Sequence, residues 1–381
     1  MFKKKIKNLK IRHINIFLRV LRKLAYFILD CFGYLVFLPF LLTSKRKKFS
    51  KGDIKKILII RLDRIGDVLL STPAIRAIRF AFLRCQLHVL VSDYTKDLLI
   101  NNPHIDRLLV YKKDKLSRDY SLAIALHPGL RQNYLTFISG ARFRIGYTGW
   151  GGGFFLTHRL KDDRIKRIRH EVESALEAVG MAGGVIQDKH LDISVTQEGE
   201  RFAVNFFSEY GLQDKDLIVA IHPGARQVYI RWKKEGFAQV AERLIREDNA
   251  KVILIGSKEE EALIKEVVSL MKEKPILAVG LKLTEVVSLI KRCNLFIGNS
   301  SGPMHIAAAL GVPVVAIFGS IHPLDSYKEW GPWGTSQVIV SKDLNCRHCH
   351  PSDCKTFDCM RLISSEDVLE AAQKLIYVKN G

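Results

Sequence analysis

The stretch Leu295–Gly319, LFIGNSSGPMHIAAALGVPVVAIFG, holds the residue types best suited to chemistry. A short apolar strand runs into Gly298-Asn299-Ser300-Ser301-Gly302. Pro303 stands where a first helical residue would, and an alanine-rich helix follows to Leu310. Gly311 ends that helix and Pro313 opens the next strand. Such a loop aims the N–H groups of a helix N-terminus at the C-terminal edge of a sheet. Those donors, with the helix dipole, suit a pyrophosphate. His305 lies one turn in, within reach of the same phosphates. The same residues also describe an ordinary capped helix with a packed histidine, and both readings stay open here.

A second constellation follows the β-branched run Lys56–Ile60. Val68, Leu69, Ala74, Ile75 and Ile78 fit a helix that starts near Gly66-Asp67, and Pro73 kinks it or divides it in two. Asp67 at that start suits a helix cap. Strand, glycine turn and helix open a Rossmann-like unit, whose ligands lie at the C-terminal ends of the strands. Neither Gly-x-Gly-x-x-Gly nor the Walker phosphate loop occurs, so NAD and P-loop readings lose their main support. Near the C-terminus, Cys346, Cys349, Cys354 and Cys359 are spaced C-x2-C-x4-C-x4-C with His348 and His350 between them. The spacing is that of a small structural zinc site. Reduced, packed thiols are the preferred reading, with no metal assigned. Cys31, Cys85 and Cys293 are scattered, which fits a reducing cytoplasm.

These groups need a scaffold of alternating strands and helices. Further strands are expected at Gln86–Val91, Leu108–Tyr111, Ser121–Leu126, Leu217–Ile221, Lys251–Ile255 and Val312–Phe318, with a helix over Gly236–Arg246. The 381 residues suffice for two α/β domains with parallel sheets. The expected divisions are a basic, hydrophobic segment over 1–50, a first Rossmann-like domain over 51–200, and a second over 201–381 with the cysteine-rich tail. Gly149-Trp150-Gly151-Gly152-Gly153 reads as a loop at the first domain's edge, a surface turn or a lid.

Charge sets the first segment apart. The net charge is +21, yet residues 1–50 alone hold thirteen Lys/Arg against Asp30. Leu24–Thr43 is an apolar run flanked by Arg22, Lys23 and Lys45–Lys48. Asp30, Gly33 and Pro39 argue against a spanning helix, and no small-x-small site follows for a signal peptidase. The preferred reading is a monotopic or re-entrant anchor on the cytoplasmic face of the membrane. A spanning helix and a helix packed on the protein's own surface are the alternatives. The segment lacks a base-reading motif, so nucleic acid is not an expected partner.

The ordered set of motifs resembles glycosyltransferase family 9, the ADP-heptose:lipopolysaccharide heptosyltransferases. It comprises RLDRIGDVLLSTPAI (61–75), GARFRIGY (140–147), HPGA (222–225), RW (231–232), GSKEE (256–260), GNSSGPMHIAAALGVP (298–313), FG (318–319) and the terminal CM (359–360). The match covers about residues 54–375. It implies a GT-B fold, two Rossmann-like domains facing a cleft, and an inverting, metal-independent transfer of heptose or a related sugar. The donor implied is a nucleoside-diphosphate sugar, ADP-heptose foremost, and the acceptor a lipid-linked saccharide such as lipopolysaccharide core. No cofactor is implied.

The resemblance assigns the catalytic base to Asp67, which would take the acceptor hydroxyl's proton as its oxygen attacks the anomeric carbon. It places Arg61, Gly66, His222, Gly224, Arg231, Ser300, Ser301, Gly302 and His305 at the donor, and Glu259 or Glu260 on the ribose hydroxyls. Two positions depart from the family pattern. Ser300 stands where aspartate is common, and Ile230 where many members have lysine, so phosphate charge falls to Arg231, Arg226 or Arg61. Competing readings are a non-catalytic nucleotide- or glycan-binding homologue and a sugar-nucleotide epimerase of the same architecture.

Overall fold

The computed structural model describes residues 21, 23–38, 50–164, 166, 168–319, 322, 325–344, 346, 354 and 356–378. Two parallel six-stranded sheets organise them, as the alternation of strands and helices predicts. The first sheet has the order β3-β2-β1-β4-β5-β6, from β1 Lys56–Arg61, β2 Gln86–Val91, β3 Arg107–Val110, β4 Leu122–Ala125, β5 Phe143–Thr148 and β6 His158–Lys161. The second has the order β12-β11-β10-β7-β8-β9. Its strands are β7 Ile218–His222, β8 Lys251–Gly256, β9 Ile276–Val279, β10 Leu295–Asn299, β11 Val314–Ile317 and β12 Gln337–Val340. Each order reverses beside its first strand, between β1 and β4 and between β7 and β10. Ligands of open α/β sheets bind outside the strand ends at such reversals. The central strands are near-continuous apolar runs because parallel sheets are covered on both faces; β10 is buried throughout.

Pro73 divides the first helix. α2 spans Ile65–Leu70 and α3 spans Thr72–Ala81, with Pro73 in α3's first turn, where a missing N–H leaves no bond unmade. Then come α4 Leu130–Ile138 and α5 Glu171–Gly180, which packs on α3. α6 (Gln197–Glu209) crosses position 200 and packs against α9 (Leu283–Lys291). Between them lie α7 Lys234–Asp248 and α8 Glu261–Ser269; α10 Gly302–Ala309, α11 Tyr327–Trp330, α12 Asp358–Arg361 and α13 Ser365–Val378 follow.

Residues 23–38 form helix α1. The sequence expects Gly33 to interrupt it; the structure keeps Gly33 inside, because a Cβ there would strike the Phe154 ring. Lacking one, α1 lies close on an aromatic patch, with Phe37 5.3 Å from the ring centroids of Phe137, Phe154 and Phe155. Asp30, costly in hydrocarbon, points to protein instead: its Oδ1 accepts the Gly152 N–H at 2.8 Å. Burial raises its pKa above the ordinary value, opposed by hydrogen bonds from Gly152 and Gly153. The opposite face leaves Leu24, Phe27, Ile28, Phe32, Leu35 and Val36 exposed. Among the described residues no helix is long and apolar enough to cross a membrane. Residues 1–20 and 39–49, with most of the basic runs and Pro39, lie outside the described residues.

Candidate active site

α2 and α10 meet where the two sheets' C-terminal edges face each other. Gly66 and Gly302 make the contact possible. A Cβ on Gly66 would stand 2.5 Å from His305 Cδ2, and one on Gly302 would stand 3.1 Å from Ile65 Cβ. A cavity of about 890 Å³ opens beside this seam, bounded by Arg64, Asp67 and Trp150 from the first half and by Arg226, Ser301 and Glu329 from the second.

Asp67 sits at the third position of α2, 9% exposed, on the cavity wall. Its Oδ2 accepts the Arg64 N–H at 3.1 Å, so it does cap the helix. Its Oδ1 accepts Arg61 Nη2 at 3.0 Å. Two hydrogen bonds fix the carboxylate and leave acceptor positions for a third partner from the cavity.

Arg61 requires a correction. The resemblance puts it on the donor; the structure encloses it completely at the end of β1, 0% exposed. Its Nε donates to Asp67 O at 3.1 Å, Nη1 to Leu126 O at 3.0 Å, and Nη2 also to Glu171 Oε1 at 2.7 Å. The last residue of a buried strand points into the sheet's own packing, and its guanidinium is used there. Arg231 is likewise engaged, its Nε donating to Ala225 O, and it does not line the cavity. Among the described residues the arginines that do are Arg64 and Arg226, both exposed at the mouth, and the buried Arg164.

The second half assembles its part around two strand ends. Asn299, at the end of β10 and fully buried, accepts the Trp232 N–H at 2.9 Å and donates to Pro223 O and Gly224 O at 2.9 and 3.2 Å. It thereby ties the loop after β7 to the loop before α10. Trp232 is buried and donates through Nε1 to Ile363 O at 3.0 Å, which makes it an anchor for that loop. His222 bridges the loops as well, with Nδ1 3.1 Å from Ser301 Oγ and Nε2 3.2 Å from Glu260 Oε2.

Of the two glutamates expected on a ribose, Glu259 is exposed and Glu260 turns inward. Glu260 lies so close to Gly224 that a Cβ there would strike its carboxylate. Burial works against its ionisation, but the His222 hydrogen bond and charge, the Ser257 N–H and Arg231 outweigh it and hold the pKa at about 2.

No side chain caps α10, so its first-turn N–H groups remain available beside Ser300, Ser301 and Gly302. His305 is packed under Gly66, and burial pushes its pKa down to about 3, with His170 adding to it. It is a neutral imidazole, a hydrogen-bonding group and not a cation, and among the described residues its buried Nδ1 has no hydrogen-bond partner.

Several cavity groups carry no motif. Arg164 donates to Asp162 Oδ1 at 2.9 Å and Glu171 Oε2 at 3.2 Å, which extends the Asp67–Arg61–Glu171 chain. His127, Asp325 and Glu329 face the same space. They come from segments far apart in the chain, and only the fold unites them.

In the cysteine cluster, Cys346 and Cys354 are exposed, while Cys359 is half-buried against Gly319. Among the described cysteines of the cluster the packed-thiol reading therefore fits Cys359 and not Cys346 or Cys354. Cys349, His348 and His350 lie outside the described residues.

Comparison with known proteins gives a consistent picture. Residues 111–359 match the family model for glycosyltransferase family 9 (heptosyltransferase). Lipopolysaccharide heptosyltransferase 3 of Escherichia coli K12 is 27% identical over 341 residues, covering 82% of this chain and 95% of that protein. The crystal structure of a family 9 glycosyl transferase from Veillonella parvula superposes with a TM-score of 0.73 at 26% identity, over 86% of this chain and 99% of that one. The E. coli ADP-heptose lps heptosyltransferase II structure shares the fold, with a TM-score of 0.69 at 20% identity over 86% of this chain and all of that one.

Proposed function

Because this chain belongs to glycosyltransferase family 9, we propose that it transfers heptose, or a closely related sugar, from a nucleoside-diphosphate donor to a lipid-linked saccharide of the lipopolysaccharide core type. ADP-heptose is the donor of choice, since similar proteins are named for it or for the heptose they move. The observation that carries the reading is one cavity with Asp67 on one wall and the uncapped N-terminus of α10 on the other.

The reaction is a single displacement with inversion. An acceptor hydroxyl attacks the anomeric carbon, Asp67 takes its proton, and the nucleoside diphosphate leaves from the opposite face. Arg61 and the Arg64 N–H are positioning groups that hold the Asp67 carboxylate. The leaving diphosphate gains its charge at the α10 N–H groups, Ser301 and the guanidinium groups of Arg226 and Arg64, so the transfer requires no metal. Glu260, fixed by His222, accepts the ribose hydroxyls.

The first half serves the acceptor and the second the donor. α1 lies on the inner face of the cytoplasmic membrane, with Phe27, Phe32, Leu35 and their neighbours in the interface. The thirteen Lys/Arg among residues 1–50 hold it to anionic headgroups. The cleft is thereby kept at the surface that carries a lipid-linked acceptor.

The test is nucleoside-diphosphate release from a panel of sugar nucleotides with core-lipid acceptors. Acceptor-dependent release from ADP-heptose should fall at least about a hundredfold in Asp67→Ala, the scale of a lost general base. Release from another donor alone replaces the sugar and keeps the mechanism. A folded protein that releases nothing with any acceptor, or an Asp67→Ala variant of full activity, refutes the assignment.

A further inference from the structure

Among the described residues, Glu329 is a buried carboxyl that the proposed mechanism leaves without a role. It lies in α11, just past the C-terminal edge of the second sheet, and is 1% exposed. Among the described residues neither carboxyl oxygen has a hydrogen-bond partner. The nearest cation among the described residues, Arg164 Nη1, is 3.7 Å from Oε1, and that guanidinium makes its hydrogen bonds to Asp162 and Glu171 instead. Two buried arginines, Arg61 and Arg164, thus serve five carboxyl groups, Asp63, Asp67, Asp162, Glu171 and Glu329.

A carboxyl buried this way is destabilising, and chains keep such groups where a ligand completes the hydrogen bonds. Glu329 lines the same cavity as Asp67, Ser300 and Gly302. The space between the base and the α10 N-terminus is where the transferred glycosyl unit must sit, since its anomeric carbon joins the two. In the proposed reading the adjoining parts of the donor have other partners, the diphosphate at α10 and Arg226 and the ribose at Glu260.

We propose that Glu329 reads the transferred sugar, its carboxyl pairing with hydroxyl groups of the glycosyl unit and so selecting which sugar nucleotide is used. The proposal rests on the glycosyltransferase reading and adds a specificity-determining residue to it. Its protonation suits the task. Burial is the main cause that pushes the Glu329 pKa up to about 8; Arg164 opposes, while Glu171, Asp162 and Asp325 add to burial. A neutral carboxyl both donates and accepts, which matches the paired donor and acceptor of neighbouring hydroxyls. It also adds no negative charge near the departing diphosphate.

The experiment uses the full-length protein and the variants Glu329→Leu and Glu329→Gln. Dissociation constants for ADP, KM and kcat for ADP-heptose and ADP-glucose, and thermal midpoints are measured. Glu329→Leu should raise KM for ADP-heptose at least tenfold, or switch the preferred donor, while ADP binding stays within twofold. Its thermal midpoint should equal or exceed the wild type's, because an unpaired buried carboxyl is gone. Glu329→Gln, whose amide still donates and accepts, should recover KM to within threefold.

Equal weakening of ADP and ADP-heptose, or a lowered midpoint with unchanged sugar preference, overturns the proposal in favour of a structural role. Unchanged KM, kcat and donor preference in Glu329→Leu overturns it outright. Either result leaves the wider glycosyltransferase function intact, which fails only if the wild-type protein transfers no sugar.

Discussion

Replacing Arg61 with lysine separates a group that holds the base from a group that holds the donor. Arg61 makes four hydrogen bonds from a fully enclosed position, two to Asp67 and one each to Leu126 and Glu171. Lysine keeps the charge and can still reach a carboxylate, but it lacks the planar fork. The bonds to the carbonyls of Asp67 and Leu126 are lost. At about 1.5 kcal/mol for each bond from a charged donor, Arg61→Lys costs about 3 kcal/mol. At roughly 2–4 °C per kcal/mol for a domain of this kind, the thermal midpoint falls by about 6–12 °C.

The catalytic effect follows from the released carboxylate. A misplacement of the base by about 1 Å costs on the order of a hundredfold in kcat. Binding of ADP, measured by titration calorimetry, should be unchanged, since no atom of Arg61 reaches the cavity surface. A tenfold or greater loss of ADP affinity in Arg61→Lys, with the midpoint and kcat held, refutes this assignment, for Arg61 would then touch the donor.

Three further outcomes are expected. Glu260 has a folded pKa of about 2 against an ordinary 4.5. Its ionised form therefore stabilises the fold above about pH 4.5, and the gain is lost as pH falls toward 2. Urea midpoints of wild type and Glu260→Gln should differ most at pH 7 and converge near pH 2; a constant gap would contradict the shift. Asn299→Ala breaks three buried hydrogen bonds between the loops. It should cost about 2–4 kcal/mol in urea unfolding and weaken ADP as well, because both halves of the proposed nucleotide site lose their tie. Phe27→Asp with Phe32→Asp removes two exposed aromatics from α1. At about 1.5–3 kcal/mol each, partition onto anionic phosphatidylglycerol vesicles should drop at least about a hundredfold, with activity on a lipid-free acceptor saccharide retained. Undiminished vesicle binding would count against α1 as the membrane contact.

What could be read in advance depended on local signals. β2 is found residue for residue at Gln86–Val91, and β1, β7, β8 and β10 within two residues, because apolar runs ended by glycine or polar turns mark central parallel strands. β6, His158–Lys161, alternates half-buried and exposed residues at the sheet edge and has no such run, so it was invisible. The glycine and proline punctuation around α2 and α10 located both helix starts. Direction was harder. A strand-end arginine can point outward to a ligand or inward to the packing, and residue type does not distinguish them; Arg61 points inward. Gly33 reads as a helix breaker until the Phe154 ring beneath it is known. Arg164 and Glu171, seven residues apart, meet Glu329 from the other half of the chain, and no periodicity announces such a meeting.

The seam between Gly66 and His305, and between Gly302 and Ile65, also constrains how a chain of this design can vary over time. At each glycine a single hydrogen atom faces the other half, and one added carbon would act as a wedge. The angle between the halves, and with it the width available to both substrates, is set by two positions that belong to separate sheets. Substitutions that reshape the cavity wall can accumulate one at a time. A change at the seam must be answered across it, by His305 for Gly66 and by Ile65 for Gly302. Redesign of the substrate range is best begun at the walls, leaving that seam untouched.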